Sequence, residues 1–366
     1  MRTGSRRQFN VRAIQIDLDL VYDRNPVTTE RNVDALLERV MRIQPNTVYL
    51  QAFADPDGDG NVHAVYFPNR VLPMRCDLLS RAARQFALRG VQVYVWMPVL
   101  SLQVPGAEKS YVQEWTQTGE PRISRSWYRR LSPFEAPALR LAIRLYEDLA
   151  AHVPFHGVVF QDDAYLAPAE DASPAAQRFY HSALGTRAPV PGTLSETARR
   201  RWTDIKIRRL NTFTERLMQA VRIYRPESLF ARTLYAPVLL SQEAETQFAQ
   251  SYRASLRRYD QVVVLAYPEL ERVRDPLPWL ERLVDAASLH PNGLERTVFE
   301  LQAYDWPKAR WIDEHDLLRR ARVLLARGAL HVAYYPDDFS ANRPNRTVIR
   351  REFSTEPTMW PARPKR

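Results

Sequence analysis

Only one cysteine, Cys76, stands among 366 residues, so the chain can form neither an internal disulfide nor a thiolate metal cage. Cys76 reads as a small buried hydrophobe. No run approaches the roughly 20 apolar residues that would cross a bilayer. The opening residues, MRTGSRRQFNVRA, lack the apolar core of a secretory signal. Lysine is nearly missing, found at positions 109, 206, 308 and 365, so the net charge of +10 rests on arginine. Those arginines alternate with acids in segments such as ERNVDALLERVMR and IDEHDLLRRARVLLAR, as solvated helix faces do. The basic clusters RTGSRR and ARPKR lie at the two ends and the remaining arginines are scattered along helices beside acids, so nucleic acid is not expected as a partner. There is no GxSxG elbow, Walker loop or GxGxxG turn, and no Pro/Gly/Ser linker divides the chain.

What is present is a series. Runs rich in Val, Ile, Leu and Tyr recur at 11–21, 47–53, 91–99, 157–163, 229–236, 261–268, 297–304 and 329–336. Amphipathic helical patterns fill the intervals, at 30–43, 77–89, 134–151, 196–224, 242–257, 277–288 and 313–327. The last ends at Gly328, where a left-handed cap is expected. Eight strands alternating with helices predict an α/β fold, a (β/α)8 TIM-like barrel with an elongated acidic groove at the C-terminal strand ends. A doubly wound open sheet is the alternative, but it needs edge strands, and none of the eight runs is short or polar. The barrel is expected over 11–340, with 1–10 a disordered N-terminal segment and 341–366 a C-terminal extension that wraps the barrel or frays. GTRAPVPGTLS, 185–195, reads as a loop insertion after the fourth strand.

Barrel enzymes carry their chemistry at the strand exits. Here these offer Asp17, Asp19 and Asp23; Gln51 followed by ADPDGDGN with Asp55 and Asp57; Trp96 and Ser101; Asp162 and Asp163; Tyr235; Tyr267; Gln302, Tyr304, Asp305 and Trp306; and Tyr334, Tyr335, Asp337 and Asp338. Aromatic faces pack on sugar rings, while carboxylates accept bonds from hydroxyl and amino groups and supply acid and base. An Asp-lined cleft also attracts cationic ligands on a protein of positive overall charge. The bland reading is that each Asp starts a loop or caps a helix. Trp115, Trp127 and Tyr128, beyond the third strand, either cover the groove or pack locally.

The doublet in VVFQDDAYL is the candidate acid. Adjacent strand residues point to opposite sides, so one carboxylate faces the mouth while its neighbour supports the wall. Continuity with Val158 and Phe160 favours Asp162, with Asp163 as runner-up. Mutual repulsion between neighbours would raise their pKa and keep one protonated near neutral pH. Two metal-like patterns are weaker. Asp55, Asp57 and Asp59 alternate as in a calcium loop with Gly60 sixth, but Tyr66 stands where a bidentate Glu is required. His152 and His156 have metal-like spacing, yet they precede the fourth strand, on the face away from chemistry. Neither a metal nor another cofactor is expected.

Several long strings carry a resemblance: FNVRAIQIDLDLVYD, NTVYLQAFADPDGDGNVHAVYFPNRVLPMR, VYVWMPVLS, YRRLSPF and GVVFQDDAYLAPAEDAS. Over nearly the whole chain they resemble the C-terminal glycoside hydrolase domain of the PgaB family, the periplasmic poly-β-1,6-N-acetylglucosamine N-deacetylases of Gram-negative biofilm systems. The resemblance implies an endo-acting hydrolase of partially deacetylated polymer, with its acid in the aspartate pair of FQDDA. Catalysis is assigned to Asp162 and Asp163, and binding to Asp17, Asp19, Asp55, Asp57, Trp96, Tyr235, Tyr267, Gln302, Tyr304, Trp306, Tyr335 and Asp337. It further implies an N-terminal deacetylase domain in the full-length protein, a periplasmic location with an outer-membrane anchor, and outer-membrane export machinery as partner. Asp17, Asp19 and Asp55 are the candidates for a second carboxylate, with assistance from the sugar's own acetamido group as the other route. The contrasting expectation is a non-catalytic barrel that guides the glycan during export.

Overall fold

Each of the eight apolar runs forms a strand: β1 Arg12–Ile16, β2 Thr47–Gln51, β3 Gln92–Met97, β4 Gly157–Phe160, β5 Leu229–Tyr235, β6 Gln261–Ala266, β7 Thr297–Gln302 and β8 His331–Tyr335. The structure, a computed structural model, describes residues 10–185 and 194–355. The strands are parallel and close in chain order into one barrel. Closure pairs Arg12 with Val332, Ala13 with Ala333 and Ile14 with Tyr334. It removes both edges, and with them the open-sheet alternative. The strands stop earlier than the apolar runs do, so the polar residues beyond them belong to loops at the C-terminal mouth.

Alternation sorts each strand into two cores. Ala13, Tyr49, Tyr94, Val159, Ala231, Val263, Val298 and Ala333 fill the barrel interior. Alanines at three of these positions leave room for the rings of Tyr49 and Tyr94, 5.9 Å apart and edge to face. Gly157 is needed beside them, since a Cβ there would lie 2.4 Å from the Tyr94 ring and 2.7 Å from the Leu229 carbonyl. The opposite side of each strand meets the helices. Phe160 points outward, against Tyr146, Phe230 and Tyr259.

The main helices are α1 Pro26–Ile43, α2 Leu78–Leu88, α3 Ala136–His152, α4 Pro174–Leu184, α5 Glu196–Tyr224, α6 Tyr252–Leu256, α7 Pro276–Ser288, α8 Glu314–Arg327 and α9 Arg346–Phe353. Gly328 caps α8 at φ +113°. Two helical readings differ from expectation. The segment 242–257 is broken: Ala249 turns left-handed at φ 50°, and Ser251 starts α6 by accepting from Ala254 N–H. Helix α4 was not foreseen, although Ser173 at its N-cap and Pro174 at its first turn are ordinary start signals. The expected disordered segment 1–10, except Asn10, and most of the expected loop 185–195 lie outside the described residues.

After β8 the chain returns along the outside. Helix α9 packs on α1 and α8 and buries Ile349 and Phe353. Arg39 of α1 clamps this return, donating to Asn342 Oδ1 at 2.8 Å and to the Pro344 carbonyl at 2.7 Å.

Candidate active site

A cleft of about 800 Å³ opens at the C-terminal ends of the strands. Its acids come from successive loops: Asp17 and Asp19 after β1, Asp55, Asp57 and Asp59 after β2, Asp162 after β4, and Glu300 from within β7. Trp96, Tyr267, Trp306 and Tyr335 line it as an aromatic wall. Trp306 stacks on Tyr335 with centroids 5.9 Å apart, and Trp96 meets the same tyrosine edge to face at 5.5 Å. Acids and aromatic rings alternate in this lining, with Tyr335 bonded to Asp17 and Tyr267 to Glu300.

Asp162 and Asp163 separate completely. Past Phe160 the strand ends, so alternation no longer governs the side chains. Val158 and Phe160 face the helices, and Asp162 turns into the cleft without sharing their side. Tyr235 donates its hydroxyl to Asp162 Oδ2 at 2.7 Å, and the Tyr128 hydroxyl lies 3.2 and 3.1 Å from the two carboxylate oxygens. Asp163 is fully buried and serves the backbone. It accepts from Val99, Leu100 and Ser101 N–H, the last two at 2.6 and 2.7 Å, and so shapes the turn after β3. Desolvation is the main cause that pushes both carboxyl groups up. The Asp162 charge contributes only weakly to Asp163, so burial does what mutual repulsion was expected to do. With its backbone bonds and no cleft surface, Asp163 is placed in the wall behind the cleft, apart from Asp162.

Among the residues assigned to binding, Asp17, Asp19, Asp55, Asp57, Trp96, Tyr235, Tyr267, Trp306 and Tyr335 line the cleft together. Asp19 is a fastener within it, taking the Tyr66 hydroxyl at 2.5 Å, Gln51 Nε2 at 2.9 Å and Asp55 N–H at 2.8 Å. Gln302, Tyr304 and Asp337 do not reach the mouth. Gln302 is fully buried and holds the loop after β6 by accepting from Glu269 and Leu270 N–H. Tyr304 packs against Trp311 behind Trp306. Asp337 lies under the C-terminal return, where Arg39 Nε and Nη2 grip its two oxygens at 2.7 Å each and Tyr334 adds a third bond. Tyr304 and Asp337 lie past their strand ends, where proximity in sequence to the exit no longer fixes which way a side chain points.

Glu300 was missed. It lies in the middle of the apolar run VFELQ, where its inward parity with Val298 was the only signal. Tyr267 donates to its Oε2 at 2.7 Å, and its Oε1 is buried without a partner. Desolvation pushes its carboxyl up to about 7. Asp17 is similar: Tyr335 donates to Oδ2 at 3.2 Å, Oδ1 has no partner, and burial raises the group to about 7. Asp55, raised to about 7 for the same reason, accepts from Gly60 N–H. Gln15, Gln161 and Thr233 also line the floor unforeseen. Of the three aromatic residues left open, Trp127 and Tyr128 line the cleft and Trp115 sits apart, in the hairpin Gln113–Trp115 and Pro121–Ile123.

Among the described residues, Asp55, Asp57 and Asp59 form the acidic trio close enough to share a cation. Two of the three are occupied within the loop, Asp55 by Gly60 and Asp59 by Asn61. His156 belongs to the opposite, N-terminal mouth, where it accepts from Val93 N–H at 3.0 Å.

Residues 15–335 match the family model described as hypothetical glycosyl hydrolase family 13. The chain is 40% identical over 358 residues to the poly-β-1,6-N-acetyl-D-glucosamine N-deacetylase of Escherichia coli K12, covering 94% of this chain and 52% of that protein. It therefore spans about half the length of the curated relatives it matches. The structure of the glycoside hydrolase domain of PgaB (BpsB) from Bordetella bronchiseptica superposes with a TM-score of 0.88 at 40% identity, over 95% of this chain and 99% of that one. A β-galactosidase from Rahnella sp. R3 shares the fold at 11% identity, with a TM-score of 0.67 over 90% of this chain and 51% of that one.

Proposed function

Because the chain belongs to the hypothetical glycosyl hydrolase family 13, we propose that it cleaves partially deacetylated poly-β-1,6-N-acetylglucosamine internally, with Asp162 as general acid. The observation that carries this reading is the Asp162 carboxyl, set into the cleft between two tyrosine hydroxyls and pushed up by desolvation. A group so raised keeps its proton at a pH where an ordinary carboxyl has lost it. That proton goes to the glycosidic oxygen as the C1–O bond breaks. The positive charge growing on the sugar ring is stabilised by the remaining acids of the cleft or captured by the sugar's own acetamido oxygen, and water then adds at C1, its proton passing to a cleft carboxylate. Asp17 and Glu300, which line the same cleft, are the carboxyls that would serve here.

The polymer chemistry fits the lining. Deacetylation exposes amines, which are cationic, and an acidic cleft favours them locally despite the net positive charge of the chain. Trp96, Trp306 and Tyr335 offer apolar faces to the rings. By the same reading the protein acts in the periplasm, held at the outer membrane, after an N-terminal deacetylase domain has modified the polymer and before export machinery receives it.

The test is direct: incubate partially deacetylated polymer with the protein and follow oligosaccharides by mass spectrometry. Fragments are expected, and Asp162→Asn should lower their rate by about 10²–10⁴-fold while polymer binding persists. Binding by the unmodified protein with no fragments would instead make this a guiding barrel without catalysis.

A further inference from the structure

We infer that a buried ion pair one layer beneath the cleft, Arg130 with Glu170, is the positioning device for Asp162, acting through Tyr128 and Tyr165. This role rests on the reading of Asp162 as the acid. Arg130 and Glu170 are 1% and 0% exposed, with Nη2 and Oε1 2.7 Å apart. A buried pair of this kind is a poor source of stability, because desolvating two charges consumes most of what their attraction returns. Its value here is geometric. Arg130 Nε donates to the Tyr128 carbonyl at 3.1 Å, and Nη1 donates to the Tyr165 carbonyl. One rigid guanidinium thereby ties the loop after β3 to the loop after β4, which no lysine ammonium could do with the same fixed fork.

The same guanidinium lies 3.9 Å over the Tyr165 ring. That ring stands edge to face against Tyr128 at 6.3 Å and Tyr235 at 6.0 Å, the two residues whose hydroxyls hold Asp162. Glu170 in turn is fixed by Ser124, by Ser126 at 3.0 Å and by Ala167 N–H at 2.7 Å. A line of contacts runs from a charge pair with no cleft surface to both hydrogen-bond donors of the acid. The charged and titratable groups facing Asp162 are Asp163, Tyr128 and Tyr165 from the two loops, Arg232 and Tyr235 from β5, Tyr267 just after β6 and Glu300 from β7. Both holding tyrosines favour the ionised carboxylate. Loosening them therefore raises the acid's pKa and spoils its aim together.

The experiment measures the Asp162 pKa by ¹³C-carboxyl NMR in the free protein, and kcat, KM and their pH profiles on partially deacetylated polymer. It compares Arg130→Met/Glu170→Gln, Tyr165→Leu and Arg130→Lys with the unmodified chain. In each variant the pKa and the basic limb of kcat/KM should move up by about one unit. In each, kcat should fall about tenfold while KM stays within about twofold. Arg130→Lys keeps the charge but not the fork, so full recovery by it would overturn positioning in favour of a simple charge effect. If the double variant lacks native near-UV circular dichroism, Tyr165→Leu, which leaves the ion pair intact, decides. An unmoved pKa and kcat in folded Tyr165→Leu, with Asp162→Asn inactive, would overturn the inference and leave the hydrolase reading standing. Unimpaired cleavage by Asp162→Asn would remove the acid reading instead, and the NMR titration would still report whether the pair sets that carboxyl.

Discussion

The floor of the cleft and the wall behind it are built from the same residue types, and they differ in how many donors each acid has. On the wall, Asp163 collects three backbone N–H groups, Asp337 collects the Arg39 fork and a tyrosine hydroxyl, and Glu170 collects an arginine, two serines and a backbone N–H. On the floor, Asp17 and Glu300 each have one tyrosine hydroxyl and one oxygen with no partner. Where a cation is among the donors the acidity follows: Glu170 is held below the usual carboxylate range by Arg130 despite its burial, whereas Asp163, with backbone donors, is raised, and Asp17 and Glu300 rise to about 7. Wall acids have their bonding completed by the fold. On the floor each of these two acids keeps one buried oxygen without a protein donor, at a cost to stability.

The largest test of this contrast is on the wall. Asp163→Ala strands the N–H groups of Val99, Leu100 and Ser101 in a buried turn. At about 1–3 kcal/mol for each unsatisfied buried group, denaturant unfolding should show a loss of about 3 kcal/mol or more. Asp162→Asn, one residue away, should leave the unfolding midpoint unchanged or higher. Equal losses in the two variants would erase the distinction between floor and wall.

Glu300→Gln should show the opposite sign. The Glu300 carboxyl is raised from 4.5 to about 7, so between those values the folded state holds a proton that the unfolded chain releases. Stability contributed by the protonated form is therefore complete below about pH 4.5 and is lost as pH rises through about 7. Gln mimics the protonated acid at every pH. The two proteins should match at pH 4.5, and above pH 7 the variant should be more stable by roughly 1–3 kcal/mol, read from urea midpoints at both pH values. A variant less stable than the parent at pH 8 would mean that Glu300 is satisfied after all.

The same contrast explains what could be read from the chain alone. The barrel was legible because closure needs only eight apolar runs with helices between them, and each run carries its own signature of β-branched, Leu or aromatic residues. The break at Ala249 was not, since an alanine in left-handed geometry has no signature at all, and helix α4, despite its start signals, is short and buries only Ala176 and Tyr180, a weak apolar stripe. Within the site, Asp162 stood out as an acid at a strand exit, but the side it faces followed from the end of the strand and not from alternation. Gln302, Tyr304 and Asp337 look like floor residues in sequence and serve the wall, because their direction depends on partners outside the strand exits: the Glu269 and Leu270 N–H groups for Gln302, Trp311 for Tyr304, and Arg39, distant by some 300 positions, for Asp337. Glu300 was hidden for the converse reason. An acid inside an apolar strand reads as an exception, and only the interior parity of its neighbours marks it as floor.

A finer distinction lies at the seam, where the acidic loop after β2 rests on a floor residue. Gly60 has φ +75°, and a Cβ there would stand 2.1 Å from Cε1 of Tyr128. Gly60→Ala must therefore push the ring away from Asp162, to which its hydroxyl is bonded. Gly90, at φ +78° after α2, bears the same backbone constraint with nothing within 4 Å of its would-be Cβ. Both alanine variants should lose about 1 kcal/mol from the left-handed backbone alone. Only Gly60→Ala should also lower kcat/KM, by about tenfold, because only there does a side chain that holds the acid have to move. If the two variants lose activity equally, Tyr128 packs beside Asp162 without setting it, and the floor is held by Tyr235 alone.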